Sequence, residues 1–205
     1  MNTELYLLRH GQPEIGNVLL GKTDAALTST GWAQLCTAAE SLKQITKLIT
    51  SPLVRCSEFA KHWASKTDIP IEINRDFQEC DFGDWDGQSF DLIKEKYSAE
   101  LSRFLIEPAS FTPNGGEALA DFQKRIRTGI NELLSKNGGE KVLLITHAGV
   151  IRCLISWCLK IDSLSSVSFQ NIAIDYGSIT HISIYHGEQL FPQLKSMNVI
   201  RNVDQ

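Results

Sequence analysis

Hydrophobic residues along the chain fall into short continuous runs separated by stretches with helical spacing. Residues 4–8 and 47–50 are short, mostly apolar runs, and residues 141–146 are uncharged after their first position. Runs of this length are typical of strands buried in a parallel sheet. Residues 69–74 alternate with period two and contain Pro70, which predicts a strand near the edge of that sheet.

The stretches between and after these runs carry apolar residues at helical spacing. The pattern predicts a helix capped by Thr28 and ending near residue 42, and a second helix from Pro52 to about residue 66. Further helices are predicted over residues 89–104, 117–135 and 150–159. Two late strands are predicted over residues 172–176 and 179–185. Strands that alternate with helices favour right-handed crossovers. We therefore predict an α/β fold, a three-layer sandwich with a mostly parallel central sheet and helices on both faces, in a single domain over residues 1–205.

Arginine and histidine side chains follow three of the predicted strands. Arg9 and His10 end the first strand, Arg55 follows the second, and His147 follows residues 141–146. Taken singly, each residue also fits an ordinary role as a strand cap or a core side chain. Because crossovers bring the carboxyl ends of parallel strands to one edge, we expect the four to share a cleft. A cationic cleft in a chain of net charge −4 suits a phosphate dianion.

Composition narrows the class of protein. The chain has 205 residues, of which 42% are hydrophobic and 21% charged, as in an ordinary globular domain. Its negative net charge predicts no nucleic-acid partner, and no apolar run approaches the roughly 20 residues of a membrane span. The N-terminus lacks the layout of a signal peptide, and the five cysteines form no Cys-x2-Cys pair. We therefore expect a cytoplasmic protein with reduced thiols and no membrane partner.

Four motifs occur in a fixed order along the chain. They are Leu-Leu-Arg-His-Gly at residues 7–11, Ser-Pro-Leu-x-Arg at 51–55, Glu-x3-Gly-x-Trp-x-Gly at 79–87 and Thr-His-x-Gly-Val-Ile-Arg at 146–152. In this order they resemble the histidine phosphatase superfamily, on its phosphoglycerate-mutase-like branch. The Arg-His-Gly-Gln-Pro-Glu opening and residues 79–87 are most similar to the α-ribazole phosphatases of cobalamin synthesis.

The resemblance implies roles for the residues at the strand ends. His10 would be the nucleophile, neutral and oriented by a hydrogen bond from one ring nitrogen to a backbone carbonyl. Arg9 and Arg55 would bind the phosphoryl oxygens. His147, if protonated, would donate a further hydrogen bond as charge develops in the transition state.

Glu79 is the candidate proton donor for the leaving oxygen, because the acid of the family stands four residues before the glycine that Gly83 matches. Phe82 and Trp85 are expected to shield Glu79 from water and to raise its pKa. Asp81 is the reserve candidate for the same role.

Further phosphate ligands are expected at two places. The amides of Ala148 and Gly149 lie at a predicted helix N-terminus, where they can bind an anion. Asn17 is a candidate ligand in the loop after Arg-His-Gly, although that loop is shorter than in the mutases. Arg152 is expected to pack on a helix face. Three histidines have no motif around them and are expected to be surface or strand residues: His62, His181 and His186.

The resemblance favours a metal-independent phosphomonoesterase that works through a phosphohistidine, without a cofactor, on a small phosphomonoester. The proposed substrate is α-ribazole 5′-phosphate, in the assembly of the cobalamin nucleotide loop. Two alternatives remain: a phosphoglycerate mutase or broad-specificity sugar and small-molecule phosphatase, and a non-catalytic phospholigand-binding protein. A metal site built from His10, Glu79 and His147 has no supporting spacing. The oligomeric state is open, with a homodimer among the candidates.

Overall fold

The computed structural model describes residues 1–161 and 171–201. These residues form six strands and six α-helices, in the chain order β1 (Asn2–Arg9), α1 (Ser29–Glu40), β2 (Lys47–Thr50), α2 (Val54–Thr67), β3 (Ile71–Ile73), α3 (Phe90–Lys96), α4 (Ser98–Ile106), α5 (Leu119–Lys136), β4 (Lys141–Thr146), α6 (Ala148–Leu159), β5 (Ile179–His186) and β6 (Leu190–Val199). Strands and helices alternate along most of the chain, as the sequence pattern predicts.

All six strands belong to one sheet with the order β3-β2-β4-β1-β5-β6. The neighbours among β3, β2, β4 and β1 are parallel, whereas β5 is antiparallel to both β1 and β6. In the register, Ile145 of β4 lies beside Leu8 of β1 and beside Thr50 of β2. The carboxyl ends of three adjacent strands therefore lie at one level, and the predicted α/β fold with a mostly parallel sheet is confirmed.

Helices cover both faces of the sheet because consecutive strand residues point to opposite faces. Leu144 of β4 packs with α5 and α6, where Phe122 and Leu154 are buried. Its neighbour Leu143 packs with α1 and α2, where Leu35 and Phe59 are buried. The near-continuous apolar sequence of β4 follows from this burial on both faces, and the layered arrangement matches the prediction.

The structure corrects two helix predictions. The expected helix over residues 89–104 is two helices, α3 and α4, because Tyr97 between them has a non-helical backbone with φ −131° and ψ 38°. Pro52 lies before α2 rather than in its first turn, because Leu53 is the capping residue. The Thr28 cap is confirmed, since its hydroxyl accepts the amide of Gly31 at 2.9 Å.

The late strands also differ from the prediction. Residues 172–176 are not a strand. Two of their carbonyl oxygens instead accept hydrogen bonds from arginine side chains: Arg152 donates to Ile172, and Arg9 donates to Ile174. Strand β6 was not predicted, because it is a sheet-edge strand with mostly polar or half-exposed residues. Strand β3 does lie at the opposite edge, as predicted from Pro70.

Candidate active site

The ends of β1, β2 and β4 bring the predicted phosphate-site residues together. His10 follows β1 and its amide donates to the carbonyl of Thr146 at 2.9 Å, which continues the ladder beyond the strand. His147 follows β4, and its ring centroid lies 5.2 Å from that of His10. Arg55 stands in the first turn of α2, with Nε 3.3 Å from Nδ1 of His147. All three of these side chains are buried.

His10 has the geometry expected of a nucleophile. Its Nδ1 lies 2.9 Å from the carbonyl oxygen of Gly11, so that Nδ1–H donates and Nε2 carries the lone pair. Burial lowers the pKa of His10 well below its usual range, and the charges of Arg55 and Arg9 lower it further. The imidazole is therefore neutral near pH 7. Gly11 is required here, because a Cβ at this position would lie 1.9 Å from the carbonyl oxygen of Gly31.

His147 is held on both sides by protein groups. Nδ1 accepts a hydrogen bond from Arg55, so the neutral ring carries its proton on Nε2, which lies 2.7 Å from the hydroxyl oxygen of Ser51. Burial lowers the pKa of His147 well below its usual range, and electrostatic repulsion from Arg55 and then from His10 lowers it further. His147 is thus neutral in this state, before any anion is bound.

Arg55 is fixed by the loop that precedes α1. Its guanidinium donates to three backbone carbonyls within residues 20–23, at N···O distances of 2.7 to 3.3 Å. Two amides of the same loop, those of Lys22 and Thr23, donate to the carboxylate of Asp86 at 2.7 and 2.9 Å, and Asp86 belongs to the segment of residues 79–87. The position of Arg55 therefore depends on contacts made by the segment that also carries Glu79.

Arg9 lies across the face of an aromatic ring. Its guanidinium carbon is 3.9 Å from the ring centroid of Tyr176, and one terminal nitrogen donates to the carbonyl of Ile174 at 2.5 Å. Burial lowers the pKa of Arg9, and its Nε is buried with no hydrogen-bond partner among the described residues. Within residues 1–161 and 171–201, no carboxylate hydrogen-bonds to Arg9 or Arg55. The cleft thus offers two guanidinium groups to an anion.

Glu79 is buried and its carboxylate accepts two backbone amides, those of Cys80 and Gly149, each at 3.0 Å. The Gly149 amide, expected from the sequence to bind phosphate, is therefore occupied by Glu79. A Cβ at residue 149 would lie 2.3 Å from Oε1 of Glu79, so the close approach requires glycine. Trp85, expected to shield Glu79, packs against Phe104 of α4 in a separate cluster.

The remaining predicted residues are distributed as follows. Asp81 accepts the amide of Gly83 at 2.8 Å and pairs with the Lys22 ammonium at 3.0 Å, contacts that stabilise the loop. Ala148 begins α6 and is buried, so its amide lies at a helix N-terminus as expected. Asn17 is exposed, with a left-handed backbone at φ 56°.

The three histidines without a motif make ordinary contacts. His62 lies against the ring of Trp32, with centroids 5.5 Å apart. Nε2 of His181 is 2.6 Å from a carboxylate oxygen of Glu4. His186, at the end of β5, has its Nε2 2.7 Å from the hydroxyl oxygen of Thr3.

Four residues of the site region had no predicted role: Ser51, Asp86, Arg125 and Tyr176. Ser51 and Asp86 lie within quoted motifs, but their importance depends on partners far away in sequence. Arg125 hydrogen-bonds to the backbone of Glu79 at 3.0 Å, which no local pattern indicates.

The described residues hold neither a cluster of metal-ligating side chains nor a membrane-spanning helix. No group of three or more His, Cys, Asp or Glu side chains within the described residues is arranged to hold a metal ion. Over the same part of the chain, none of the helices combines the length and apolar character needed to cross a membrane.

The chain is similar to proteins named as phosphatases. It is 30% identical over 170 residues to glucosyl-3-phosphoglycerate phosphatase of Mycobacterium tuberculosis, covering 77% of this chain and 75% of that protein. It is 26% identical over 202 residues to adenosylcobalamin/alpha-ribazole phosphatase of Escherichia coli, covering 95% of each. A solved complex of mycobacterial glucosyl-3-phosphoglycerate phosphatase with VO3 superposes with a TM-score of 0.83 at 26% identity, over 95% of this chain and 98% of that chain.

A further relative is longer than this chain. Over 188 residues the chain is 31% identical to a bifunctional protein of Mycobacterium tuberculosis, a match that covers 89% of this chain and 50% of the relative. The chain therefore spans about half the length of that protein. Residues 5–199 match the family description "Histidine phosphatase superfamily (branch 1)". With this match over most of its length, the chain belongs to branch 1 of the histidine phosphatase superfamily.

Proposed function

We propose that this chain hydrolyses a small phosphomonoester through a phosphohistidine formed at Nε2 of His10. The observation that carries the proposal is the pair of guanidinium groups, on Arg9 and Arg55, to which no carboxylate of the described residues hydrogen-bonds. A buried guanidinium is stabilised by a hydrogen-bonded anion, and a phosphate dianion supplies that partner beside a neutral imidazole. The proposal places this activity in a single domain over residues 1–205, with no metal ion or other cofactor.

The reaction has two steps on the same residues. In the first, the lone pair of His10 Nε2 attacks phosphorus while the bond to the ester oxygen breaks, and Glu79 gives that oxygen its proton. In the second, the Glu79 carboxylate takes a proton from water as the water oxygen attacks phosphorus and the P–N bond breaks. Inorganic phosphate leaves, and His10 and Glu79 return to their starting protonation states.

The other residues stabilise the charge on the transferred group. Arg9 Nε has a hydrogen that no group among the described residues accepts, and Arg55 lies beside both imidazoles. A bound dianion favours the protonated form of His147, which then donates to a phosphoryl oxygen in place of accepting from Arg55. The amide of Ala148 and the side chain of Asn17 complete the proposed set of phosphate ligands.

For the substrate we propose α-ribazole 5′-phosphate. The opening motif and residues 79–87 resemble α-ribazole phosphatases, and the Escherichia coli relative with that name aligns over 95% of both chains. Glucosyl-3-phosphoglycerate is the second candidate, because the relative with that specificity in its name is 30% identical. Either substrate supplies a phosphomonoester whose leaving group is an alkoxide and needs a proton.

Turnover in excess chelator tests the proposal. The purified chain is assayed with α-ribazole 5′-phosphate, glucosyl-3-phosphoglycerate, 3-phosphoglycerate and p-nitrophenyl phosphate, and quenched samples are examined for an acid-labile, alkali-stable phosphoprotein. We expect phosphate release without added metal, most efficient with α-ribazole 5′-phosphate. Activity that disappears with chelator and returns with a divalent cation would contradict the mechanism. Transfer to phosphoglycerate instead of water would identify a mutase, and binding without turnover would identify a phospholigand-binding protein.

A further inference from the structure

Helix α5 carries an arginine whose contacts converge on the segment before Glu79. Nη1 of Arg125 donates to the carbonyl oxygens of Asp76 and Gln78, both at 2.8 Å. Nη2 donates to the carbonyl oxygen of Glu79 itself at 3.0 Å. Three backbone carbonyls within four residues are therefore held by a single planar group.

The rest of the same guanidinium is occupied by one carboxylate. Nε and Nη2 of Arg125 donate to the two oxygens of Glu117 at 2.7 and 2.8 Å, in a bidentate pair. The amide of Glu117 donates to the carbonyl of Asp81 at 2.8 Å, so Glu117 also fixes the main chain two residues after Glu79. The five hydrogen bonds use the full donor capacity of an arginine, which no lysine can reproduce.

The packing of α5 permits this close approach. One turn after Arg125, Gly129 faces the same segment, and a Cβ there would lie 2.7 Å from Cβ of Asp76. The helix backbone thus lies close to residues 75–79, which contain a short 3₁₀ helix but no strand. Without a strand ladder, the segment depends on side chains to hold its carbonyls.

We propose that Arg125, with Glu117, is a positioning residue for the carboxyl group of Glu79. The guanidinium fixes the main chain of Glu79 from one side, and the amides of Cys80 and Gly149 fix its carboxylate from the other. Arg125 acts on the reaction only through Glu79, so this inference rests on the proposed role of Glu79 as proton donor. Loss of Arg125 misplaces the donor without removing it.

The test compares single-turnover phosphorylation of His10 from an alkyl phosphate and from p-nitrophenyl phosphate. An alkoxide needs protonation as it leaves, whereas a nitrophenolate needs it much less. We expect Arg125→Gln to slow the alkyl reaction by about 10- to 100-fold, in line with the cost of a displacement of about 1 Å, and the aryl reaction by less than about 3-fold. Arg125→Lys, which keeps the charge but loses the bidentate geometry, should lie between Arg125→Gln and wild type.

Combination with Glu79→Gln separates positioning from general damage. In a Glu79→Gln background, Arg125→Gln should add less than about 2-fold, because the group that it positions is already absent. Arg127→Gln, on the exposed face of the same helix, is the matched control and should leave both rates unchanged. If Arg125→Gln does not fold, Glu117→Gln tests the same contact and should show the same selective loss.

The inference can fail in ways that the measurements distinguish. Equal losses for the alkyl and aryl substrates, or additive losses in the double variant, would show that Arg125 does not act through Glu79. If Glu79→Gln itself shows no dependence on the leaving group, the assignment of the proton donor fails, and the inference fails with it. A selective loss in Glu79→Gln alone would reject only the role of Arg125.

Discussion

The two halves of the proposed active site are built in different ways. The phosphate half, which contains Arg9, His10, Arg55 and His147, stands at the ends of three adjacent parallel strands. The donor half consists of Glu79 and the segment around it, from the end of β3 to the start of α3, where no strand is present in the described structure. Strand register places Arg9, His10 and His147 in the first half, whereas loop contacts place Arg55 and individual side chains place the second half.

Backbone bonds explain why the phosphate half is robust. The amide of His10 bonds to the carbonyl of Thr146, and Thr146 is paired with Arg9 in the sheet. A side-chain substitution removes none of these backbone bonds. In the donor half, by contrast, Arg125 alone holds three backbone carbonyls, so one substitution releases several contacts.

The largest expected effect concerns the nucleophile in the phosphate half. His10→Ala should reduce turnover of every phosphomonoester by about 10⁴- to 10⁶-fold, because no covalent intermediate can form. Since the strand register does not depend on this side chain, the anion site should survive. Rapid-quench trapping of the phosphoenzyme and equilibrium binding of vanadate measure the two properties separately.

Arg55→Ala provides the contrast within the same half. It should weaken vanadate binding strongly, because it removes a buried guanidinium beside both imidazoles. A crystal structure with vanadate should show the anion in contact with Arg9, His10, Arg55 and His147. If His10→Ala still forms an acid-labile phosphoenzyme, or if the anion binds elsewhere, this account of the phosphate half is wrong.

The next effect concerns the donor half and is selective. Glu79→Gln should slow phosphorylation from an alkyl phosphate by about 10²- to 10⁴-fold, and from an activated aryl phosphate by much less. Vanadate affinity should change little, since the Glu79 carboxylate hydrogen-bonds to backbone amides rather than to Arg9 or Arg55. Asp81→Asn is the matched control, and a larger selective loss in that variant would transfer the donor role to Asp81.

The same contrast explains what the sequence could and could not predict. Apolar runs identified β1, β2 and β4, and their ends located Arg9, His10 and His147 without any knowledge of tertiary contacts. Glu79 was found only through the resemblance to a family, because no periodic pattern marks an irregular segment. Contacts such as that of Arg125 with residues 76–79 join positions about 50 residues apart, and local propensity does not report them.

The misjudged elements have similar causes. Strand β6 has one exposed edge and a mixed sequence, so it lacks the apolar run that identified the buried strands. The break at Tyr97 is invisible to helical periodicity, because apolar residues continue on both sides of it.

The smallest expected effect is a dependence of stability on pH that belongs to the phosphate half. His10 and His147 have folded-state pKa values well below the unfolded value of about 6.5, chiefly because of burial. The unfolded chain therefore binds more protons than the folded chain below about pH 6.5, and the free energy of unfolding falls as the pH is lowered. The limit is about 1.4 kcal/mol per imidazole for each pH unit.

Urea unfolding of the anion-free protein at pH 7.5 and 5.5 measures this effect. His10→Ala removes one of the two groups, so it should lose less stability between the two pH values than the wild type, by roughly 1 kcal/mol. Arg127→Gln removes no group that titrates in this range and should match the wild type. An identical pH dependence in wild type and His10→Ala would mean that His10 is not held neutral by its surroundings. The neutral nucleophile would then need another explanation, whereas the arrangement of the donor half would be unaffected.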